Sequence, residues 1–150
     1  MTTELKTFID ITATPERVWQ VLTDLSAYPE WNPMVSRAEG VFAVGRRVSL
    51  TMPRVNTLIR ATQQFTVLEM TPYRRLRWRG RQGRLGMPGL LDADYTLTIT
   101  PHDGSVRIWE QMRFRGLLVH VVTGSYNRQR VPVHLAMDIA LKERAEATPG

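Results

Sequence analysis

Apolar residues change period along the chain. Between residues 34 and 114 they recur at every second position. Val48, Leu50 and Met52 alternate with Ser49 and Thr51, and Phe65 and Val67 keep that beat through residues 63–70. Leu76 and Trp78 alternate with Arg75, Arg77 and Arg79. Ala93, Tyr95, Leu97 and Ile99 alternate with Asp94, Thr96 and Thr98, and Val106, Ile108, Glu110, Met112 and Phe114 repeat the pattern. Side chains two apart on a strand share a face, so the alternation predicts six or more consecutive strands. Thr71-Pro72-Tyr73 and Pro101-His102-Asp103-Gly104 are short turn signals, and short turns join antiparallel neighbours into a meander. One face of that sheet is apolar and the other charged, so one side only needs a cover.

From residue 116 to 147 the period lengthens. Leu118, Val122, Tyr126, Val133, Met137 and Ala140 fall within one quadrant of a helical wheel at about 100° per residue. Lys142 to Glu146 form a charged end before Thr148-Pro149-Gly150 stops the helix. A helix with one apolar stripe is the cover that the sheet lacks. Pro132 lies inside it, where proline removes a hydrogen bond and crowds the carbonyl of Arg128, so a kink or break is expected around residues 128–132. Gln129 falls within the stripe and turns a polar group toward the sheet.

Before the meander, residues 8–11 begin a short strand. Thr14-Pro15-Glu16 then reads as a helix start: Thr14 can cap free N–H groups, Pro15 suits the first helical position and Glu16 the positive end of the dipole. Val18, Trp19 and Leu22 give this helix its apolar face, and Asp24, Ser26 and Pro29 keep it short. A second short helix or turn is expected over residues 25–30, closed by Trp31-Asn32-Pro33. Trp19 and Trp31 are expected to pack these helices on the end of the sheet. The class is α+β: one domain over residues 1–150, with a sheet of about six to seven strands around a long C-terminal helix.

Three blocks, in order, carry a family resemblance. Ile9-Asp10-Ile11 leads through Pro15-Glu16-Arg17-Val18-Trp19 and Leu22-Thr23-Asp24 to Tyr28-Pro29-Glu30-Trp31-Asn32-Pro33. Arg75-Leu76-Arg77-Trp78-Arg79-Gly80 stands with Met87-Pro88-Gly89-Leu90-Leu91-Asp92. Phe114-Arg115-Gly116-Leu117-Leu118-Val119 opens the helix. Together they span nearly the whole chain and resemble the START-like SRPBCC superfamily, in particular its bacterial polyketide cyclase/dehydrase-like group. The resemblance implies a helix-grip fold, a curved antiparallel sheet gripping the C-terminal helix with a deep apolar cavity between them. It says less about activity, because binders, lipid carriers, cyclases and hydrolases share this scaffold.

Composition narrows the picture. An apolar content of 43% in 150 residues suffices for one real core. There is no cysteine, hence no disulfide and no thiolate metal site. The N-terminus lacks the apolar run of a signal peptide and no stretch approaches a membrane span, so the cytoplasm is the expected location. The net charge of +6 comes from 20 basic residues, all arginine except Lys6 and Lys142. That balance fits a solvated basic surface, or transient contact with an anionic membrane from which a hydrophobic ligand is loaded. Nucleic acid is not expected: Arg75, Arg77, Arg79 and Arg81 alternate away from Trp78, whereas base stacking needs aromatic and basic groups on one surface.

The chemistry points to a pocket. Leu50, Met52, Phe65, Leu76, Trp78, Tyr95, Leu97, Glu110, Met112 and Phe114 face inward from the sheet, and Leu118, Val122, Tyr126, Val133 and Met137 from the helix. Glu110 interrupts an apolar run, where a bare buried carboxylate is costly. It is the candidate catalytic or anchoring group, unless an arginine simply neutralises it. Tyr95 and Tyr126 could orient a carbonyl or phenol. Leu85, Met87, Leu90 and Leu91, in a segment rich in glycine, are candidates for a gate at the pocket mouth. His102 is assigned to an exposed turn, and His120 and His134 lie too far apart to share a metal. No Ser/His/Asp set, phosphate loop or ligand-spaced His/Asp/Glu cluster occurs, so neither a cofactor nor a metal is expected. The reading favours binding or transport of a lipid, isoprenoid or polyketide-like molecule. A polyketide aromatase/cyclase-like enzyme using a carboxylate and a tyrosine stands second, and an interaction domain with a filled core third.

Overall fold

The computed structural model describes residues 2–51, 62–81, 92–116 and 136–147. Strand β1 (Thr2–Ile11) is followed by helix α1 (Pro15–Thr23), a 3-10 turn (Leu25–Ala27) and the one-turn helix α2 (Tyr28–Trp31). Strands β2 (Arg37–Gly40), β3 (Arg47–Thr51), β4 (Thr62–Thr71), β5 (Arg75–Arg81), β6 (Asp92–His102) and β7 (Ser105–Arg115) come next. Helix α3 is described over residues 136–146. The kink expected around residues 128–132, with Leu118, Val122, Tyr126, Val133, His120 and His134, lies outside the described residues. So do Met52, Leu85, Met87, Leu90 and Leu91.

The seven strands form one antiparallel sheet in the order β1-β7-β6-β5-β4-β3-β2. The meander from β3 to β7 is the one that period-two alternation predicts. Two features exceed it. The first strand starts at Thr2 rather than Phe8 and pairs along β7 from Thr2↔Arg115 to Ile11↔Val106. Its first half reads Thr-Thr-Glu-Leu-Lys and so leaves little periodicity to read. The second is β2, a short outer strand of Arg-Ala-Glu-Gly with no apolar beat.

The β6–β7 turn is tighter than the tetrapeptide at 101–104 suggests. Asp103 and Gly104 both hold positive φ, 46° and 79°, which suits a two-residue hairpin turn. His102 is therefore the last residue of β6, paired with Ser105. It is half-exposed rather than free in a loop, with Nε2 3.0 Å from the Arg107 guanidinium.

Register places large and small inner residues in rows across the sheet. Val67, Trp78, Tyr95 and Met112 form one row, and Phe65, Gly80, Ala93 and Phe114 another. A Cβ on Gly80 would stand 2.7 Å from the Phe65 ring, so glycine is what lets that ring lie across β5. Between Val67 and Glu69 the β4–β5 register shifts by one residue. Leu68 is the extra residue, and the inner phase passes from Phe65 and Val67 to Met70.

Thr14 caps α1 as its sequence predicts, accepting from Arg17 N at 3.1 Å, with Pro15 in the first turn. Arg17 then donates to the carbonyls of Arg144 (3.0 Å) and Ala145 (3.4 Å) at the end of α3. A cation there satisfies orphan carbonyls and the negative end of the helix dipole. Glu146 accepts from Thr12 N at 2.8 Å, and Lys142 donates to Asp10 O at 3.0 Å. The C-terminal end of α3 is thus tied to α1 and to the end of β1. One core cluster joins these elements through Ile11, Val18, Leu22, Leu97, Ile108, Leu141 and Ala145. A second, around Leu25, Tyr28, Met34, Val35, Val48, Phe65 and Val67, fills the other end of the sheet.

Candidate functional site

A cavity lies between these two clusters. Leu50, Phe65, Trp78, Tyr95, Leu97, Glu110 and Met112 line it from the sheet, and Met137, Asp138 and Leu141 from α3. The α1–α2 region adds Leu22, Tyr28, Trp31, Asn32, Met34 and Val35. Its water-accessible space is about 90 Å³, where roughly 10–15 Å³ holds one water molecule. Eight of the pocket residues expected from sequence therefore meet at one place. Leu76 and Phe114 do not line it. Leu76 is in the core and Phe114 is buried against the Tyr95 ring, with centroids 6.5 Å apart.

Aromatic rings form much of the wall. Trp78 and Tyr95, cross-strand partners, stack with centroids 5.7 Å apart at 14°. Phe65 meets the edge of Tyr95 at 5.7 Å, and Tyr28 meets Trp31 at 5.1 Å. Such contacts fix ring positions beyond what burial alone supplies. The Tyr28 hydroxyl donates to the carbonyl of Leu22, and burial first, then the charge of Asp24, raises its pKa. It is a neutral donor already in use. Asn32 is also in use, its Oδ1 accepting from Met34 N at 2.9 Å.

Against this wall stand two carboxyls. Glu110 projects from β7 and Asp138 from α3, and they share a hydrogen bond. Burial raises the pKa of Glu110 well above its ordinary value, and the charge of Asp138 and the bond to it add to the rise. Burial also raises Asp138, while the bond from Glu110 acts the other way. The proton therefore sits on Glu110, which donates it to Asp138, and the pair titrates as a unit. Among the described residues no arginine neutralises either group, and neither takes part in an ion pair.

Two buried polar atoms in this wall lack a hydrogen-bond partner, Asp138 Oδ1 and Trp31 Nε1. Asp138 is 6% exposed. A buried polar atom normally has a partner, so each marks a position where a ligand or water atom fits. The cavity offers an acid, an open acceptor and an open donor among apolar faces.

Sequence reasoning missed Asp138, Trp31 and the segment around Met34. The stripe expected from the helical period runs through Met137 and Ala140. The observed face at this end runs through Asp138, Leu141 and Ala145, all buried, with Ala140 half-buried beside it. At about 100° per residue Asp138 lies roughly 20° from Ala145 and 60° from Leu141. A wheel centred on the last turns would have found it. Trp31 packs on both core clusters as well as lining the cavity.

The outer face of the sheet is basic but locally neutralised. Arg79 and Arg115 share Asp94 at 2.6 and 3.0 Å, Arg107 meets Asp10 at 2.8 Å, and Arg113 meets Glu4 at 3.4 Å. It also carries Phe8 and Trp109, 5.2 Å apart, with the Arg107 guanidinium 4.2 Å from the Phe8 ring. Aromatic and basic groups do share this face, which the alternation around Trp78 alone does not reveal. No helix among the described residues is long and apolar enough to cross a membrane.

Similar folds occur in solved structures. Truncated norcoclaurine synthase from Thalictrum flavum matches with a TM-score of 0.72 at 15% identity, covering 95% of this chain and 92% of that one. A protein of Thermus thermophilus matches with a TM-score of 0.73 at 17% identity, covering 99% and 100%. A Chromobacterium violaceum protein matches with a TM-score of 0.68 at 18% identity, covering 97% and 98%. At such identities the likeness establishes the helix-grip fold. No curated protein matches the chain at a significant level. The family model described as "Polyketide cyclase / dehydrase and lipid transport" matches residues 2–140, and the chain belongs to that family, within the START-like SRPBCC superfamily.

Proposed function

We propose that this protein binds or carries a hydrophobic small molecule, lipid-, isoprenoid- or polyketide-like, in the cavity between its sheet and its C-terminal helix. The observation that supports this most is the wall itself: aromatic and aliphatic side chains interrupted by a few unsatisfied polar atoms. Ligand sites combine these two features, apolar area for affinity and sparse polar groups for orientation. Burial would contribute roughly 25 cal/mol per Å² of apolar area before the entropic costs of binding. The gate assigned to Leu85, Met87, Leu90 and Leu91 belongs to the same proposal, as does ligand loading in the cytoplasm from an anionic membrane surface. Native mass spectrometry of the purified protein, with titration by the neutral dye Nile red, tests it. We expect a co-purifying ligand or saturable dye binding that Leu97→Trp, which fills the cavity, abolishes. Absence of both a co-purifying ligand and saturable dye binding would overturn the reading.

The Glu110–Asp138 pair supports a second reading, an aromatase/cyclase-like enzyme. Protonated Glu110 would donate to a ketone oxygen while Asp138 takes a proton from the adjacent carbon, the division of labour that general acid–base catalysis needs. Glu110→Gln should then abolish turnover of an aromatising polyketide mimic and leave binding intact. An unchanged rate would remove Glu110 from the mechanism.

A further inference from the structure

We infer that the ligand of this cavity carries a protonated amine, held between Glu110 and Asp138 with its apolar body against the aromatic wall. The inference rests on the cavity-binding reading above and narrows it to cationic amphiphiles.

The donor–acceptor balance of the site carries the argument. Two carboxyls bring four oxygens into an apolar cavity, and the protein supplies no cation among the described residues to meet them. Asp138 Oδ1 is buried without a partner. A neutral ketone could use the one proton on Glu110 but would leave that oxygen bare. An alcohol would satisfy the oxygen without compensating the charge. A carboxylate or phosphate headgroup would set a second anionic group beside the Asp138 carboxylate, and like charges at close range in a dry site are strongly disfavoured. An ammonium group supplies both missing things, several N–H donors and one positive charge.

The surroundings fit the same group. Trp78 and Tyr95 stack into a continuous aromatic face, and Trp31 faces the cavity from α2. Ring faces attract a cation as well as burying a hydrocarbon body. The titratable groups lining the cavity among the described residues are Glu110 on β7, Asp138 on α3, Tyr28 on α2 and Tyr95 on β6. Lysine, arginine and histidine do not occur among them.

The charges then balance. The empty site holds two carboxyls and one shared proton, a net charge of −1, and an ammonium brings it to zero. The bound cation also favours the ionised form of Glu110 and so lowers its pKa. Amine binding is therefore linked to proton release and tightens as pH rises, until the amine itself loses its charge.

Displacement of Nile red by three compounds of one skeleton tests this: 4-phenylbutylamine, 4-phenylbutanol and 4-phenylbutyrate. At neutral pH the amine should displace the dye at a concentration roughly tenfold or more below the alcohol, since a charge-assisted hydrogen bond exceeds a neutral one by about that factor. The carboxylate should be the weakest. Asp138→Asn and Glu110→Gln should still bind the dye, showing a folded cavity. Asp138→Asn, which removes the carboxylate charge, should lose the preference for the amine, whereas Glu110→Gln keeps that charge and should keep the preference. The amine's affinity should rise with pH in the parent protein and flatten in Glu110→Gln. Equal displacement by amine and alcohol, or a preference for the carboxylate, would overturn the amine assignment while leaving the cavity reading in place. A protein that binds neither the dye nor any of the three would overturn both.

Discussion

The two faces of β7 treat the same kind of group in opposite ways. On the outer face, Arg107, Arg113 and Arg115 each reach a carboxylate: Asp10, Glu4 and Asp94. The Arg107 hydrogen bond is the main cause that lowers the pKa of Asp10. Burial alone would raise Asp94, and the hydrogen bond from Arg79 with the charges of Arg79, Arg115 and Arg77 overcomes it and holds Asp94 low. On the inner face, among the described residues, Glu110 has only Asp138 as an ionisable partner, and both are raised. On the outer face each carboxylate is met by a cation; inside, burial keeps one acid protonated and leaves one negative charge on the pair, an arrangement that does not favour stability.

The comparison breaks most visibly if a carboxylate is moved to an inner position with no partner. Ile108 is fully buried one inner step from Glu110. Ile108→Glu should cost about 4 kcal/mol or more, while Thr96→Glu, on the outer face opposite Arg77, should change stability by no more than about 0.5 kcal/mol. Urea unfolding of both variants at neutral pH measures the difference, and equal costs would mean that the two faces are not distinct.

A smaller effect is expected from removing the inner charge. Because the folded pKa of Glu110 lies above its unfolded value, the folded state binds more protons than the unfolded state between the two. Stability must then fall as pH rises from the ordinary carboxylate range toward the raised pKa. Glu110→Gln should remove that slope and gain about 1–3 kcal/mol at pH 8. Thermal unfolding across pH reads it directly, and a parallel pH dependence in the variant would contradict the shared proton.

The outer face should give the smallest response, with the opposite sign. Asp94 has a lowered pKa, so its stabilising effect is present above the ordinary value and is lost as pH falls through the folded one. Asp94→Asn should cost about 1 kcal/mol or less near neutrality, with the difference shrinking in acid and in high salt. A cost that is constant in salt would show that its bonds, rather than its charge, matter.

Much of the fold was legible because alternation is a property of each strand by itself. Val48, Leu76, Leu97 and Ile108 declare their faces within a few residues of sequence. The cap at Thr14 and the turn at Asp103-Gly104 are equally local. β2 and the first half of β1 were not legible, since their partners and not their own residues make them strands. The site divides the same way. Glu110 stands out against its own apolar run, whereas Asp138 looks like any charged residue near a helix end. Its meaning depends on Glu110, 28 positions earlier, and on a packing angle that no wheel drawn from residue 116 fixes to within one residue. Trp31 reads as packing alone when one side of its ring is considered, and it uses both.

Leu68 adds a final point about what strand length encodes. It is the extra residue at the point where the inner phase of β4 changes from odd to even numbers. To its left Phe65 lies across Gly80; to its right Met70 opposes Leu76. Deleting it would close the ladder into unbroken alternation, with Phe65, Val67 and Met70 at successive second positions and all still facing inward. Leu68 therefore does not set which side chains face the pocket; it adds the bend and extra twist of a bulge where the strand curves. A homologous chain with a gap at that column keeps the same inner residues on a straighter strand.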